Sequence, residues 1–171
     1  MPGGRFTYHN NLPFDPLGLT FYNSLLIVSL TFMSSNNRIV SVVDDDIGTA
    51  TFFHEALRQN IDGSSVFSFT DPIMAFEHFT ENKENYALVI SDLRMPGLNG
   101  LELLKKVKTS NPNVRTILMS AYNFEEEELY QEYMKETLIN STIEKPVTMN
   151  RLYQIVREEL DASAKIAKEN N

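Results

Sequence analysis

From Arg38 onward, short apolar runs alternate with stretches whose apolar residues recur at three- and four-residue steps. The β-branched run 39–43 predicts a first strand, and Asp44-Asp45-Asp46 ends it. Ile47, Ala50, Phe53, Leu57 and Ile61 then share one face of a helix. Residues 66–69 predict a second strand, closed by Asp71-Pro72, a side-chain cap followed by a first-turn proline. Ile73, Phe76 and Phe79 carry the face of the next helix. The run 87–91 is almost wholly apolar, as suits a strand covered on both sides of a parallel sheet. Pro96-Gly97 and Asn99-Gly100 break the chain before a helix over 101–108, and 116–119 predict a fourth strand. A helix over 124–135 follows and opens on four glutamates at 125–128, whose repulsion is offset by the macrodipole at a helix start. A fifth strand at 141–144 leads to Lys145-Pro146. Thr148 caps a last helix with a buried stripe of Met149, Leu152, Ile155, Val156 and Leu160. The alternation implies one α/β domain, a parallel sheet with right-handed crossovers and helices on both faces.

Residues 1–37 break that pattern. No charged residue occurs from Pro16 to Asn37, yet Gly18, Thr20, Asn23, Ser24, Ser29 and Thr31 interrupt the apolar positions. A membrane span needs about 20 mostly apolar residues. Phe32-Met33-Ser34-Ser35 is a poor cleavage site for a secretory leader. The segment is expected to be a disordered or non-native extension, with Met33 as an alternative start. A weakly membrane- or partner-binding segment is the other reading. The domain itself is expected over 38–160, with 161–171 as helix end and tail.

Composition narrows the chemistry. The 171 residues carry a formal net charge of -8, so direct binding to a nucleic-acid backbone is not expected. The absence of cysteine removes disulfides, thiolate metal sites and cysteine nucleophiles. His9, His54 and His78 show no metal-ligand spacing.

What remains lies at the strand ends, where open parallel sheets bind their ligands. The first strand ends in Asp44, Asp45 and Asp46, the third in Asp92, the fourth in Ser120 and the fifth in Lys145. Singly these are ordinary turn formers, caps and surface groups. Together, clustered carboxylates at one sheet edge repel unless a divalent cation sits among them. Hard oxygen donors without His or Cys suit Mg²⁺, which keeps several waters and takes one or two carboxylates plus phosphate. A lysine and a hydroxyl opposite would serve phosphoryl oxygens. The set reads as a phosphoryl-transfer site with a carboxylate nucleophile.

Four segments carry a family resemblance. Val42-Val43-Asp44-Asp45-Asp46 resembles the opening acidic motif of response-regulator receiver domains. Ser91-Asp92-Leu93-Arg94-Met95-Pro96-Gly97-Leu98-Asn99-Gly100 resembles their phosphorylation segment, Leu118-Met119-Ser120-Ala121-Tyr122 their Ser/Thr strand, and Glu144-Lys145-Pro146-Val147 their lysine-proline motif. The resemblance implies a flavodoxin-like, doubly wound five-stranded sheet in the order 2-1-3-4-5. It implies that Asp92 is the phosphoacceptor and that Mg²⁺ is held by Asp45 directly, Asp44 largely through water, Asp92 and the backbone carbonyl of Arg94. Asp46 would cap a helix or sit behind the metal ligands. Ser120 and Lys145 would take phosphoryl oxygens, and the Lys145–Pro146 bond would be cis. The implied donor is a phosphohistidine on a sensor histidine kinase or phosphotransfer protein in the cytoplasm. Output would pass to an unidentified downstream protein through the fourth helix, fifth strand and last helix, with no membrane or nucleic acid involved.

Two departures stand out. Thr142 occupies the position where such domains usually carry a switching Tyr or Phe, and the stretch from Ser120 to Lys145 is longer than usual and lacks the common Gly-Ala. Movement of Ser120 is instead expected to re-seat Tyr122 or Phe124. Two rival readings are a haloacid-dehalogenase-type phosphatase and a binding module that is not phosphorylated. The first would need a cap in addition to acidic residues after the first strand, and no cap is seen. The second usually lacks an acidic or lysine position that is present here.

Overall fold

The computed structural model describes residues 38–121 and 137–169. Within them, strands β1 (Arg38–Val43), β2 (Ser64–Phe69), β3 (Tyr86–Asp92), β4 (Arg115–Ser120) and β5 (Ser141–Glu144) form one sheet. Helices α1 (Ile47–Asn60), α2 (Pro72–Asn82), α3 (Gly100–Ser110) and α4 (Met149–Glu169) cover it. The strand order is β2-β1-β3-β4-β5 and every pairing is parallel, so this is the flavodoxin-like doubly wound fold. The helix expected over 124–135, its glutamates 125–128 and the expected extension 1–37 lie outside the described residues.

Strand alternation sends side chains to two cores. Val40, Val42, Leu88, Ile90, Ile117, Met119 and Ile143 pack with Phe53, Leu57, Leu152 and Val156 of α1 and α4. Ile39, Val43, Val89 and Leu118 pack with Ala75, Phe79, Leu104 and Val107 of α2 and α3. Between Ile39 and Val40 the pairing with β3 jumps from Tyr86 to Leu88, an irregularity that leaves Ala87 and Leu88 in the same core.

The helix starts follow their local chemistry. The Asp46 side chain accepts from Thr49 N at 2.7 Å and caps α1. Asp71 accepts from Ile73 N at 2.8 Å, with Pro72 opening α2. Asn99 and Glu102 exchange side chain-to-backbone bonds in a capping box at α3.

Two expectations need correction. Ile47 and Ile73 fit the apolar faces of their helices by spacing but are 73% and 56% exposed. Each falls in the first turn of its helix, just past the end of the preceding strand. The last helix outruns its apolar stripe and continues to Glu169, supported past Leu160 by strong helix formers such as Ala162, Ala164 and Lys165. No described helix is long and apolar enough to cross a membrane.

Candidate functional site at the carboxyl ends of the strands

Asp44 follows β1, and its amide donates to Phe69 O at 3.1 Å, which draws the residue in beside β2. Its side chain is almost wholly buried. One oxygen, Oδ1, accepts from Asp46 N at 3.0 Å, and the other accepts from Lys145 Nζ at 2.6 Å. Asp92 is the last residue of β3. Its Oδ1 accepts from Lys145 Nζ at 2.5 Å and its Oδ2 from Arg94 N at 2.8 Å. The lysine ammonium therefore bridges residues from two different strands.

Lys145 is placed by its own backbone. It directly follows β5, and its amide donates to Ser120 O at 2.7 Å across to β4. The Lys145–Pro146 peptide bond is cis. Ser120 ends β4 and is buried. Asp45 is exposed and lines a cleft of about 440 Å³ together with Arg94, Met95 and Asn99. Asp46 turns away to cap α1, as anticipated for one of its two readings.

Gly100 explains how close α3 comes to the site. A Cβ at this position would lie 2.0 Å from the Asp92 carbonyl oxygen, so only glycine lets the helix start pack against the end of β3. Its amide donates to Leu93 O at 3.0 Å, and Ser91 Oγ donates to Asp92 O at 3.0 Å.

Charge at this edge is unequal. Four carboxylates, Asp44, Asp45, Asp46 and Asp92, share it with one bridging lysine. Burial pushes the Asp44 carboxyl above its ordinary value, although the hydrogen bond and charge of Lys145 pull the other way. Burial also works against the Lys145 charge, but its bonds to Asp44 and Asp92 outweigh that and hold the ammonium above its ordinary value. Backbone and side-chain hydrogen bonding to Thr49 holds Asp46 below the usual carboxylate value.

The donors suit a hard divalent cation, because they are carboxylate and carbonyl oxygens with negative charge in excess. Among the described residues no three His, Cys, Asp or Glu side chains converge as a ready-made cage.

Thr142 is half-buried on β5 opposite Leu118. It lines a cleft of about 490 Å³ with Glu144, Pro146, Thr148 and Arg151. Tyr122 and Phe124, the aromatics expected to replace a switching ring, lie outside the described residues.

The strand-end motifs do not reveal a second polar cluster at the other end of the sheet. There Arg115, Ser141 and the buried Glu159 meet. The signal was present in the periodicity, since position 159 lies on the same helical stripe as Leu152, Ile155 and Val156.

Comparison with known proteins agrees with the fold. Residues 40–157 match the family described as response regulator receiver domain, and the chain belongs to that family. It is thus a receiver domain of two-component signalling. Sporulation initiation phosphotransferase F of Bacillus subtilis (strain 168) is 31% identical over 124 residues, covering 72% of this chain and 94% of that protein. Transcriptional regulatory protein ZraR of Klebsiella oxytoca is 35% identical over 91 residues, 53% of this chain, but the match spans only 20% of that protein. Among solved structures, response regulator protein TrrA from Thermotoga maritima in complex with Mg(2+)-BeF shares the fold. The TM-score is 0.59 at 24% identity, over 71% of this chain and 98% of that one.

Proposed function

We propose that this chain is the phosphoacceptor of a two-component or phosphorelay system, taking a phosphoryl group onto Asp92 from a phosphohistidine of a sensor kinase or phosphotransfer protein. The observation that carries the reading is the Lys145 ammonium, bonded at once to Asp44 and Asp92. It sets a cation against one oxygen of Asp92, the carboxylate that ends the central strand β3, while the other oxygen accepts from the Arg94 amide.

In the reaction an Asp92 oxygen attacks phosphorus, a new P–O bond forms, and the P–N bond to the donor imidazole breaks. The bonding pair leaves with the imidazole nitrogen, and the carboxylate becomes an acyl phosphate. Lys145 follows the transferred charge, since its ammonium already faces Asp92 Oδ1. Ser120, at the end of the neighbouring strand, supplies a hydroxyl for another phosphoryl oxygen. Asp44, Asp45, Asp92 and the Arg94 carbonyl would hold Mg²⁺. When bound, this cation supplies charge stabilisation for the transferring phosphoryl oxygens. The protein signals to a downstream partner through a face that includes β5 and α4 and does not contact nucleic acid itself.

Intact-mass measurement after incubation with Mg²⁺ and acetyl phosphate tests the reading. One added phosphoryl group per chain is expected, and a chelator present from the start should prevent it. No added mass, or equal addition with the chelator, overturns the proposal.

A further inference from the structure

β5 is the shortest strand, four residues at one edge of the sheet, yet Lys145 depends on it for its position. Side chains fasten its approach and amino end. Asn140 N donates to Thr116 O at 3.0 Å, and Asn140 Oδ1 accepts from Thr116 N at 3.0 Å. Thr116 Oγ1 donates to Leu138 O at 2.8 Å. Ser141 Oγ donates to Glu159 Oε1, and the other oxygen of Glu159 accepts from Arg115 Nε at 2.5 Å. One buried carboxylate on α4 thus holds the first residues of both β4 and β5.

A buried ion pair is weak evidence of stabilisation, because an apolar residue of similar volume often serves stability as well. An apolar residue could not bond two adjacent strands at fixed positions. Ser141 pairs with Ile117, two residues beyond Arg115, so Glu159 contacts both only in the observed register. A slip of one residue would take Ser141 from Glu159 and turn Ile143, now buried, to the opposite face. From Ser141 to Lys145 the chain runs about 13 Å at strand rise, without a turn that could absorb a shift.

We propose that Glu159 is a positioning residue: by fixing β5 to β4 through Ser141 and Arg115, it sets where the Lys145 ammonium stands against Asp92. The inference rests on the phosphoacceptor reading above and extends it to the far end of the sheet.

A double-mutant cycle separates positioning from support of the fold. Wild type, Glu159→Gln, Lys145→Ala and the double variant are phosphorylated with acetyl phosphate and Mg²⁺, well below each melting temperature. Glu159→Gln should slow phosphorylation about tenfold, within the roughly hundredfold that an ångström of misplacement can cost. Its Mg²⁺ affinity should match wild type, because the metal-side carboxylates are untouched. In the Lys145→Ala background the same change should have no further effect. If Glu159→Gln does not fold, Ser141→Ala replaces it, with the same pattern expected at about threefold. A wild-type rate in the folded variant, or an equal slowing in both backgrounds, overturns the inference alone. A wild-type protein that takes no phosphoryl group, or is not slowed by Lys145→Ala, overturns the reading of the site and this inference with it.

Discussion

The two ends of the sheet handle charge in opposite ways. At the amino end each buried or half-buried charge has a fixed partner. Arg115 pairs with Glu159, Arg38 Nη1 donates to Leu160 O at 3.2 Å, and Lys108 Nζ donates to Pro112 O at 3.2 Å. At the carboxyl end Asp44 and Asp92 share one lysine, Asp45 and Asp46 add two further carboxylates to the same edge, and Asp44 is buried at a cost to its charged form. The first arrangement is what a fold needs when it must bury polar groups. The second is left short of positive charge, which a divalent cation would supply.

Substitutions at the two ends should therefore separate binding from stability. Asp45→Ala should have the largest effect, weakening Mg²⁺ binding roughly a hundredfold, at the upper end of losses seen around metal sites. The same change should leave stability equal or higher, because it relieves carboxylate repulsion. Isothermal titration calorimetry reads the first quantity and urea unfolding the second. Unchanged affinity would remove Asp45 from the metal site and much of the contrast with it.

Glu159→Ala should do the reverse. It strands Arg115 and Ser141 and should cost about 2 kcal/mol of stability, below the full range for buried pairs because Arg115 keeps some contact with water. Its Mg²⁺ affinity should stay at the wild-type value. A loss of affinity without a loss of stability would put Glu159 on the wrong side of the comparison.

The contrast also bears on the alkaline pH dependence of stability. Burial, helped by the Arg115 charge, lowers Lys108 to about 8 from 10.5. Between those values the unfolded chain binds more protons than the folded one, so this lysine makes stability rise with pH from about 8. Lys145 is shifted upward, so its contribution is fully present below 10.5 and is lost as pH rises through its folded value. Urea midpoints measured at several pH values should lose the rise in Lys108→Met and keep it in Lys145→Ala. A rise that survives Lys108→Met would assign it to another group.

Most of this architecture was legible in the sequence because strand and helix periods differ and the acidic, hydroxyl and lysine groups fall where apolar runs end. Asp46 could be read as a cap, and Asp71-Pro72 as a helix start, since both rest on contacts within a few residues. Features that depend on where an element lies over the sheet were less accessible. Ile47 and Ile73 fit helical faces by spacing, but periodicity does not say that a first turn stays exposed. Gly100 reads locally as a turn former, whereas its closest constraint is the Asp92 carbonyl oxygen, eight positions earlier. Glu159 fits the buried stripe by position and conflicts with it by charge. Only the meeting of β4, β5 and α4 resolves that conflict.

The central claim is that Asp92 receives the phosphoryl group, and intact mass of Asp92→Asn beside wild type tests it most directly. Both proteins are incubated with Mg²⁺ and acetyl phosphate, after circular dichroism confirms that the variant is folded. The account predicts one added phosphoryl group on wild type and none on Asp92→Asn. Addition to Asp92→Asn at the wild-type rate would contradict it.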